Sequence, residues 1–262
     1  MINSIIGQNH IKAYIKDKTL GTFPRSLLLI GKSGCGKHLF TRAISDYFQL
    51  EYEDITDWLS LDTINNILTR TQPTFYLIDV SDISEKDQNI ILKFIEEPAA
   101  HTYIILLAES KNQVLDTVYN RCQVLDFAPY SEEELLNFTK DANVVKICKT
   151  PGQVKLCGDI NFEELMALCD KVCTKISQSN VSNVLTIVDK IAFKNEKNKF
   201  DLDVFLSALS YKLKEYIIAG HNEYFSFYRI LRDYNEKRMN SSLQQKALFE
   251  QFLLNLYKRE TV

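Results

Sequence analysis

The chain has no Cys-x-x-Cys pair; its six cysteines are scattered over 262 residues, so neither a zinc ribbon nor a dithiol redox centre is written into it. Cys169 and Cys173, four apart, would share one face of a helix, but two cysteines without a neighbouring histidine make a poor metal site. Reduced structural thiols are expected, and no zinc. Long apolar runs are missing too. No stretch reaches the length of a bilayer-crossing helix, and Met1-Ile2-Asn3-Ser4 is not a basic leader ahead of an apolar block, so a cytoplasmic protein without a membrane partner is expected. A dominant charge is lacking as well: the formal net charge is -3, too balanced for a broad phosphate-backbone footprint, so any contact with nucleic acid must be local or shared with partners. Internal repeats and low-complexity tracts are absent. What remains is 45% hydrophobic content, enough for a substantial core in one large domain or in two or three small ones.

Through the first half, apolar runs alternate with amphipathic segments, the pattern of a parallel sheet flanked by helices. Ser26–Ile30, Thr74–Asp79, Tyr103–Ala108 and Gln123–Phe127 read as buried strands, with a weaker one near Leu50–Asp54. Helices are expected over Lys37–Phe48, Leu61–Thr71, Ser84–Glu97 and Asn112–Tyr119. This is a doubly wound α/β domain, in which ligands bind beyond the carboxyl ends of the strands. After Pro129 the pattern changes: Ser131 followed by Glu132-Glu133-Glu134 is a helix-start signal, and no convincing strand follows. Breaks at Thr150-Pro151-Gly152 and at Ser177-Gln178-Ser179-Asn180 divide the tail, giving an α/β domain over 1–129, a helical lid over 130–178 and a helical domain over 179–262. Phe225, Tyr228 and Leu231, then Leu248, Phe252 and Leu256, recur at helical spacing as core or subunit-packing positions.

The sharpest signal is Gly31-Lys32-Ser33-Gly34-Cys35-Gly36-Lys37-His38, which follows the strand ending at Ile30 and opens a helix. In such a loop the amides of Gly31, Gly34, Cys35 and Gly36 can wrap phosphates, the helix start favours their charge, and Lys37 reaches the β and γ oxygens. ATP or ADP is the expected ligand. A Ser or Thr hydroxyl normally holds Mg²⁺ at the last position of this pattern, and here His38 stands there; imidazole is a poor ligand for so hard an ion. A second element, Phe75 to Asp82, is an apolar strand ending in Asp79, where the metal-directed carboxylate of P-loop proteins belongs. Asp82 reads as a cap for the helix that begins near Ser84.

Ser84 to Phe127 closely resembles the AAA+ subunits of DNA-replication clamp loaders, the delta-prime type above all. Gln88-Asn89, Leu92-Lys93-Phe94-Ile95 and Glu96-Glu97-Pro98 look like that family's helix ending in Leu-Glu-Glu-Pro. Asn120-Arg121-Cys122 looks like its Ser-Arg-Cys motif, whose arginine reaches the nucleotide of the neighbouring subunit, and Ile5-Ile6-Gly7-Gln8 is similar to its amino-terminal box beside the adenine. The matches keep the family's order over roughly the first three-fifths of the chain. The resemblance implies a P-loop fold with a helical lid and a collar of packed subunits. Other clamp-loader subunits, a sliding clamp and primer-template DNA are the implied partners, with Lys86 and Lys93 as candidate phosphate contacts.

Departures from the family pattern converge on one site. Hydrolysing AAA+ proteins usually carry a glutamate after the strand aspartate to prime water, and here Val80 cannot accept a proton. Twelve positions before Arg121, where a polar sensor of the γ-phosphate is common, stands Glu109, whose charge repels phosphate oxygens. Gly152-Gln153-Val154-Lys155 falls where the lid sensor belongs, so Lys155 keeps the cation and loses the arginine fork. The family's cysteine-rich zinc module is missing, since Leu50 to Pro73 contains no cysteine. The resemblance therefore implies a subunit poor at its own hydrolysis that supplies Arg121 in trans. The alternatives are an active AAA+ ATPase, a homo-oligomeric clamp loader or helicase loader with Asp82 or Glu109 as base, and a P-loop kinase, which would leave the helical tail and Arg121 without a purpose.

Overall fold

The structure is a computed structural model that describes residues 2–158, 161–175, 186–192, 200–239 and 245–258. It forms two compact units, Met1–Tyr130 and Ser131–Val262. In the first, five parallel strands lie in the order β2-β3-β4-β1-β5: β1 (Ser26–Ile30), β2 (Glu51–Asp54), β3 (Thr74–Asp79), β4 (Thr102–Ala108) and β5 (Gln123–Asp126). Helices α1 (Asn9–Lys16), α2 (Lys37–Phe48), α3 (Leu61–Leu68), α4 (Glu85–Glu96) and α5 (Asp116–Tyr119) connect and cover them.

Every residue of β1 and β4 is buried, as parallel strands covered on both faces require, which is why these strands read as unbroken apolar runs rather than as alternations. The period of two survives in the packing. Leu28, Tyr76, Ile78, Ile104 and Leu106 face one core with Ile64 and Ile67 of α3 and Ile91, Phe94 and Ile95 of α4. Their neighbours Leu27, Leu29, Phe75, Leu77, Ile105 and Leu107 face the other, with Ile11 and Ile15 of α1 and Phe40, Ala43 and Ile44 of α2. On that side Phe23 meets Phe48 and Phe75 edge to face, at 5.1 and 5.5 Å between ring centroids. β2, at the sheet edge, buries no residue fully, the reason its signal is the weakest.

Two helices are shorter than their patterns predict. α3 stops at Leu68 instead of Thr71, because β-branched Thr69 and Thr71 and then Pro73 work against another turn. The segment 112–119 splits into a 3₁₀ turn, Lys111–Gln113, and α5. Side chains divert its backbone: Gln113 Oε1 accepts the amides of Glu109 and Ser110, at 2.9 and 3.3 Å, and Gln88 Oε1 accepts that of Leu115 at 2.9 Å. α4 is capped by Ser84 itself, whose hydroxyl accepts the Asp87 amide at 3.2 Å, so the cap does not fall to Asp82.

In the second unit Ser131 and Glu134 form a reciprocal capping box at the start of Glu132–Leu135. Thr150 caps the helix Pro151–Cys157, with proline at its permitted first position, so the break at 150–152 is a helix start. The long helix Leu202–Ile218 packs on Phe162–Lys175 and Tyr224–Met239, and Tyr224–Met239 packs on Gln245–Lys258. The unit also contains a two-residue parallel pair, Ile191–Ala192 with Phe200–Asp201, a correction to the expectation of helices alone; segments so short carry no periodic signal. Leu231, Phe252 and Leu256 are core and Tyr228 and Leu248 half-buried, whereas Phe225 is 57% exposed and Phe227 takes the buried place beside it. The polar patch 177–180 lies outside the described residues. No described helix is long and apolar enough to cross a membrane.

Candidate functional site

Register places the candidate groups of the first unit along one edge of the sheet. Ile30 lies opposite Ala108, and Asp79 opposite Leu107, so the loop beginning at Gly31, the carboxylate of Asp79 and Glu109 all emerge at the carboxyl ends of β1, β3 and β4. Adjacent strands are about 4.8 Å apart, which sets Asp79 about 10 Å from Leu29, its counterpart across β4, with Gly31 two residues further along the chain.

Between β1 and α2 the chain takes the conformation that a phosphate loop needs. Gly36 has φ 99°, a left-handed value costly for a residue with a Cβ, and it caps α2 without a side chain of its own, which leaves the first amides of the helix for a ligand. At Gly31 the requirement is space: a Cβ would sit 2.7 Å from both Cys35 Sγ and Phe127 Cβ. Phe127 is held there by an edge contact with Phe40 at 5.2 Å. Lys37 is buried and donates to the carbonyls of Gly31 and Lys32, which folds its ammonium over the loop. Burial pushes the Cys35 thiol up against the pull of Lys37, and the Glu109 charge adds a lesser rise.

His38, in the first turn of α2, turns toward β3. Its Nε2 lies 3.6 Å from Asp79 Oδ2, within ion-pair range but too long for a good hydrogen bond. The Asp79 carboxylate raises the pKa of His38 above that of ordinary imidazole, against the opposing effect of burial. Burial alone would raise the Asp79 pKa, but His38, the Ser81 amide bonded at 3.0 Å and Lys37 outweigh it and hold the carboxyl below its usual range. Asp79 is fixed from the other side by its amide, which donates to Thr56 Oγ1 at 2.9 Å. Val80 is 1% exposed and part of the core, so the position after the strand carboxylate faces hydrocarbon instead of a ligand.

Arg121 follows α5 at the surface. Its Nη1 donates to the Thr117 carbonyl at 2.9 Å and its Nη2 to Glu96 Oε1 at 2.8 Å, while 43% of the side chain stays exposed. The support behind it is buried: Gln88 donates to the Gln113 carbonyl at 2.7 Å and accepts from Leu115, clamping the segment that leads into α5. Lys86 and Lys93 are exposed on α4, and Lys93 donates to Asn65 Oδ1 at 3.2 Å. Lys155 is exposed on Pro151–Cys157, in the second unit.

Sequence reasoning did not foresee the contacts of four groups that hold these elements. Gln8, buried with φ 53°, pairs its side-chain amide with both backbone groups of Ala128 at 2.8 Å. Tyr130 donates its hydroxyl to the Cys35 carbonyl at 2.9 Å, tying the end of the first unit to the phosphate loop. Glu96 holds Arg121, and Gln88 sets the approach to it. Gln8, Gln88 and Glu96 stood inside the family-like motifs, and that was the available signal; nothing local marked Tyr130. Of the six free cysteines, Cys148 and Cys157 bring their sulfurs to 3.4 Å, and Cys173 has its thiol pushed up to about 12 by burial.

The sequence pattern of the family described as "DNA polymerase III, delta subunit" matches residues 59–131. The gamma subunit of DNA polymerase III from Buchnera aphidicola subsp. Schizaphis graminum is 26% identical over 247 residues, covering 77% of this chain and 66% of that protein. The delta' subunit from Haemophilus influenzae is 34% identical over 71 residues, 27% of this chain and 22% of its own length. The delta' subunit from Bacillus subtilis is 23% identical over 180 residues, 64% and 55% of the two chains. The chain thus spans less than two thirds of each of these curated relatives. A mutant of RuvB from Thermotoga maritima is similar in fold, with a TM-score of 0.51 at 15% identity over 97% of this chain and 90% of that one.

Proposed function

We propose, from the premise that the chain belongs to the AAA+ clamp-loader subunits of the DNA polymerase III delta-prime and gamma type, that it serves clamp loading as a subunit that does not turn over ATP alone. Its working cation is Arg121, extended into the nucleotide site of a neighbouring motor subunit. The observation that carries the reading is the burial of Val80 directly after Asp79: the position that would carry a base holds an apolar side chain packed into the core. The exposed guanidinium of Arg121 on a clamped segment supports the other half. Arginine fingers contribute roughly 10³ to 10⁵ in rate in related nucleotide hydrolases.

In this reading the partners are other loader subunits, a sliding clamp and primer-template DNA, and the place of work is the cytoplasm. Residues 130–178 form the lid, with Lys155 as its cation, and 179–262 form the collar. Lys86 and Lys93 lie on the exposed face of α4, open to a phosphate backbone.

The test is ATP turnover by the purified chain alone, then with its motor partner, with and without Arg121→Ala. The expected result is no turnover alone and partner-dependent turnover that falls at least about tenfold with the variant, a factor equivalent to about 1.4 kcal/mol. An unchanged rate would remove Arg121 from the role. The second reading, an active ATPase with Glu109 as base, is favoured by the position of Glu109 at the phosphate-loop edge of the sheet. It requires turnover by the isolated chain that disappears in both Lys37→Ala and Glu109→Gln.

A further inference from the structure

P-loop sites of this construction imply a divalent ion, and the residues here do not fit one. The position that normally offers a hydroxyl carries the His38 imidazole, and the Asp79 carboxylate faces that ring instead of an open coordination position. A magnesium ion bound directly to a carboxylate lies about 2.1 Å from its oxygen, and one bound through its own water lies about 4 Å away. The ring nitrogen, at 3.6 Å from Asp79 Oδ2, falls within that second distance, so on the side that faces His38 the carboxylate has no room for a hydrated ion.

In the loop the amides of Gly31 and Cys35 are taken by the carbonyls of Ala108 and Lys32, at 3.0 and 3.1 Å, so the donors left for phosphate gather at the helix start. Gly36 leaves the start of the twelve-residue α2 without a side-chain cap, and buried Lys37 has its ammonium directed over the loop carbonyls, where an anion would draw it away. These are the parts of the site that touch phosphate without a metal.

We propose that this P-loop binds a nucleoside di- or triphosphate without a divalent metal, the His38 ring seated against Asp79 taking the place of the ion. The inference rests on the P-loop being a nucleotide site and deepens that part of the functional reading. Lys37, the helix start and the Nδ1–H of the His38 ring then supply the donors for the phosphate oxygens, while Nε2 faces Asp79, which orients the imidazole. His38 is a positioning and binding group in this scheme, and no bond is made or broken.

The experiment is calorimetric titration of the full chain with ADP, once in magnesium and once in EDTA. Wild type is expected to bind equally well in both, within about twofold, and Lys37→Ala to lose at least about tenfold in both. His38→Thr, which returns the hydroxyl and frees Asp79, is expected to make binding magnesium-dependent by about tenfold or more, with a circular-dichroism melt as the check on its fold. The wild-type comparison stands alone if that variant does not fold. Magnesium tightening the wild-type affinity tenfold, or no ADP binding in either buffer, overturns the inference. Neither result touches the Arg121 proposal, which is read from the partner's turnover.

Discussion

Arg121 and Glu96 meet at 2.8 Å between Nη2 and Oε1, with both side chains close to half exposed. A guanidinium held this way is pre-aimed but not locked. An exposed pair of this kind contributes only about 0.2–1 kcal/mol, which a phosphate anion could readily displace. Glu96→Gln should therefore shift unfolding free energy in urea by less than about 1 kcal/mol and, under the role proposed for Arg121, leave stimulation of a motor partner in place. A loss of stimulation as large as that of Arg121→Ala would mean that Glu96 acts in the chemistry and is more than a tether.

The buried position of Val80 leads to a prediction about repair. Val80→Glu restores the residue type expected of a hydrolysing site, yet a carboxylate at 1% exposure inside an apolar cluster has no partner. An uncompensated buried charge costs about 3–5 kcal/mol, so the variant should unfold earlier in urea by that margin and gain no turnover. Turnover in a stable Val80→Glu protein would contradict the assignment.

The contact of His38 with Asp79 makes stability depend on pH in a defined window. His38 has a raised folded pKa, so its contribution is complete below the unfolded value near 6.5 and fades as pH climbs through the folded one. Asp79 has a lowered folded pKa, so its contribution is present above about 3.9 and fades as pH falls through the folded value. The melting-temperature gap between wild type and His38→Asn should be widest between about pH 4 and 6.5 and narrow toward alkaline pH. A gap independent of pH would mean that the pair is not ionic.

Phe40 links α2 to the loop through Phe127 and is fully buried. Phe40→Ala should cost about 3–5 kcal/mol by urea unfolding, and it should weaken ADP binding as well, because Phe127 is the wall against which Gly31 is packed. Normal affinity in the surviving folded fraction would separate the packing from the site.

Legibility in the sequence followed the physics of each element. β1 and β3 could be read end to end, because strands covered on both faces leave an unbroken apolar record and their ends are marked by Gly31 and Asp79. The fragmentation of 112–119 could not, since it depends on Gln88, some twenty-five positions away, reaching in with a side-chain amide. His38 was legible as a misfit for magnesium, but its turn toward Asp79 belongs to the packing of α2 against the sheet. Tyr130 was invisible for the same reason: its bond to Cys35 spans 95 residues and carries no local pattern.

Gln8 and Ala128 are joined by two hydrogen bonds across 120 positions, and β1 pairs only with β4 and β5, the last strands of its sheet to be made. At ribosomal rates of roughly 5–20 residues per second, Gln8 and β1 wait on the order of ten seconds for the segments that complete them. The nascent chain therefore carries an unsatisfied apolar strand through most of its first unit's synthesis, and this is the interval in which chaperone capture would matter most.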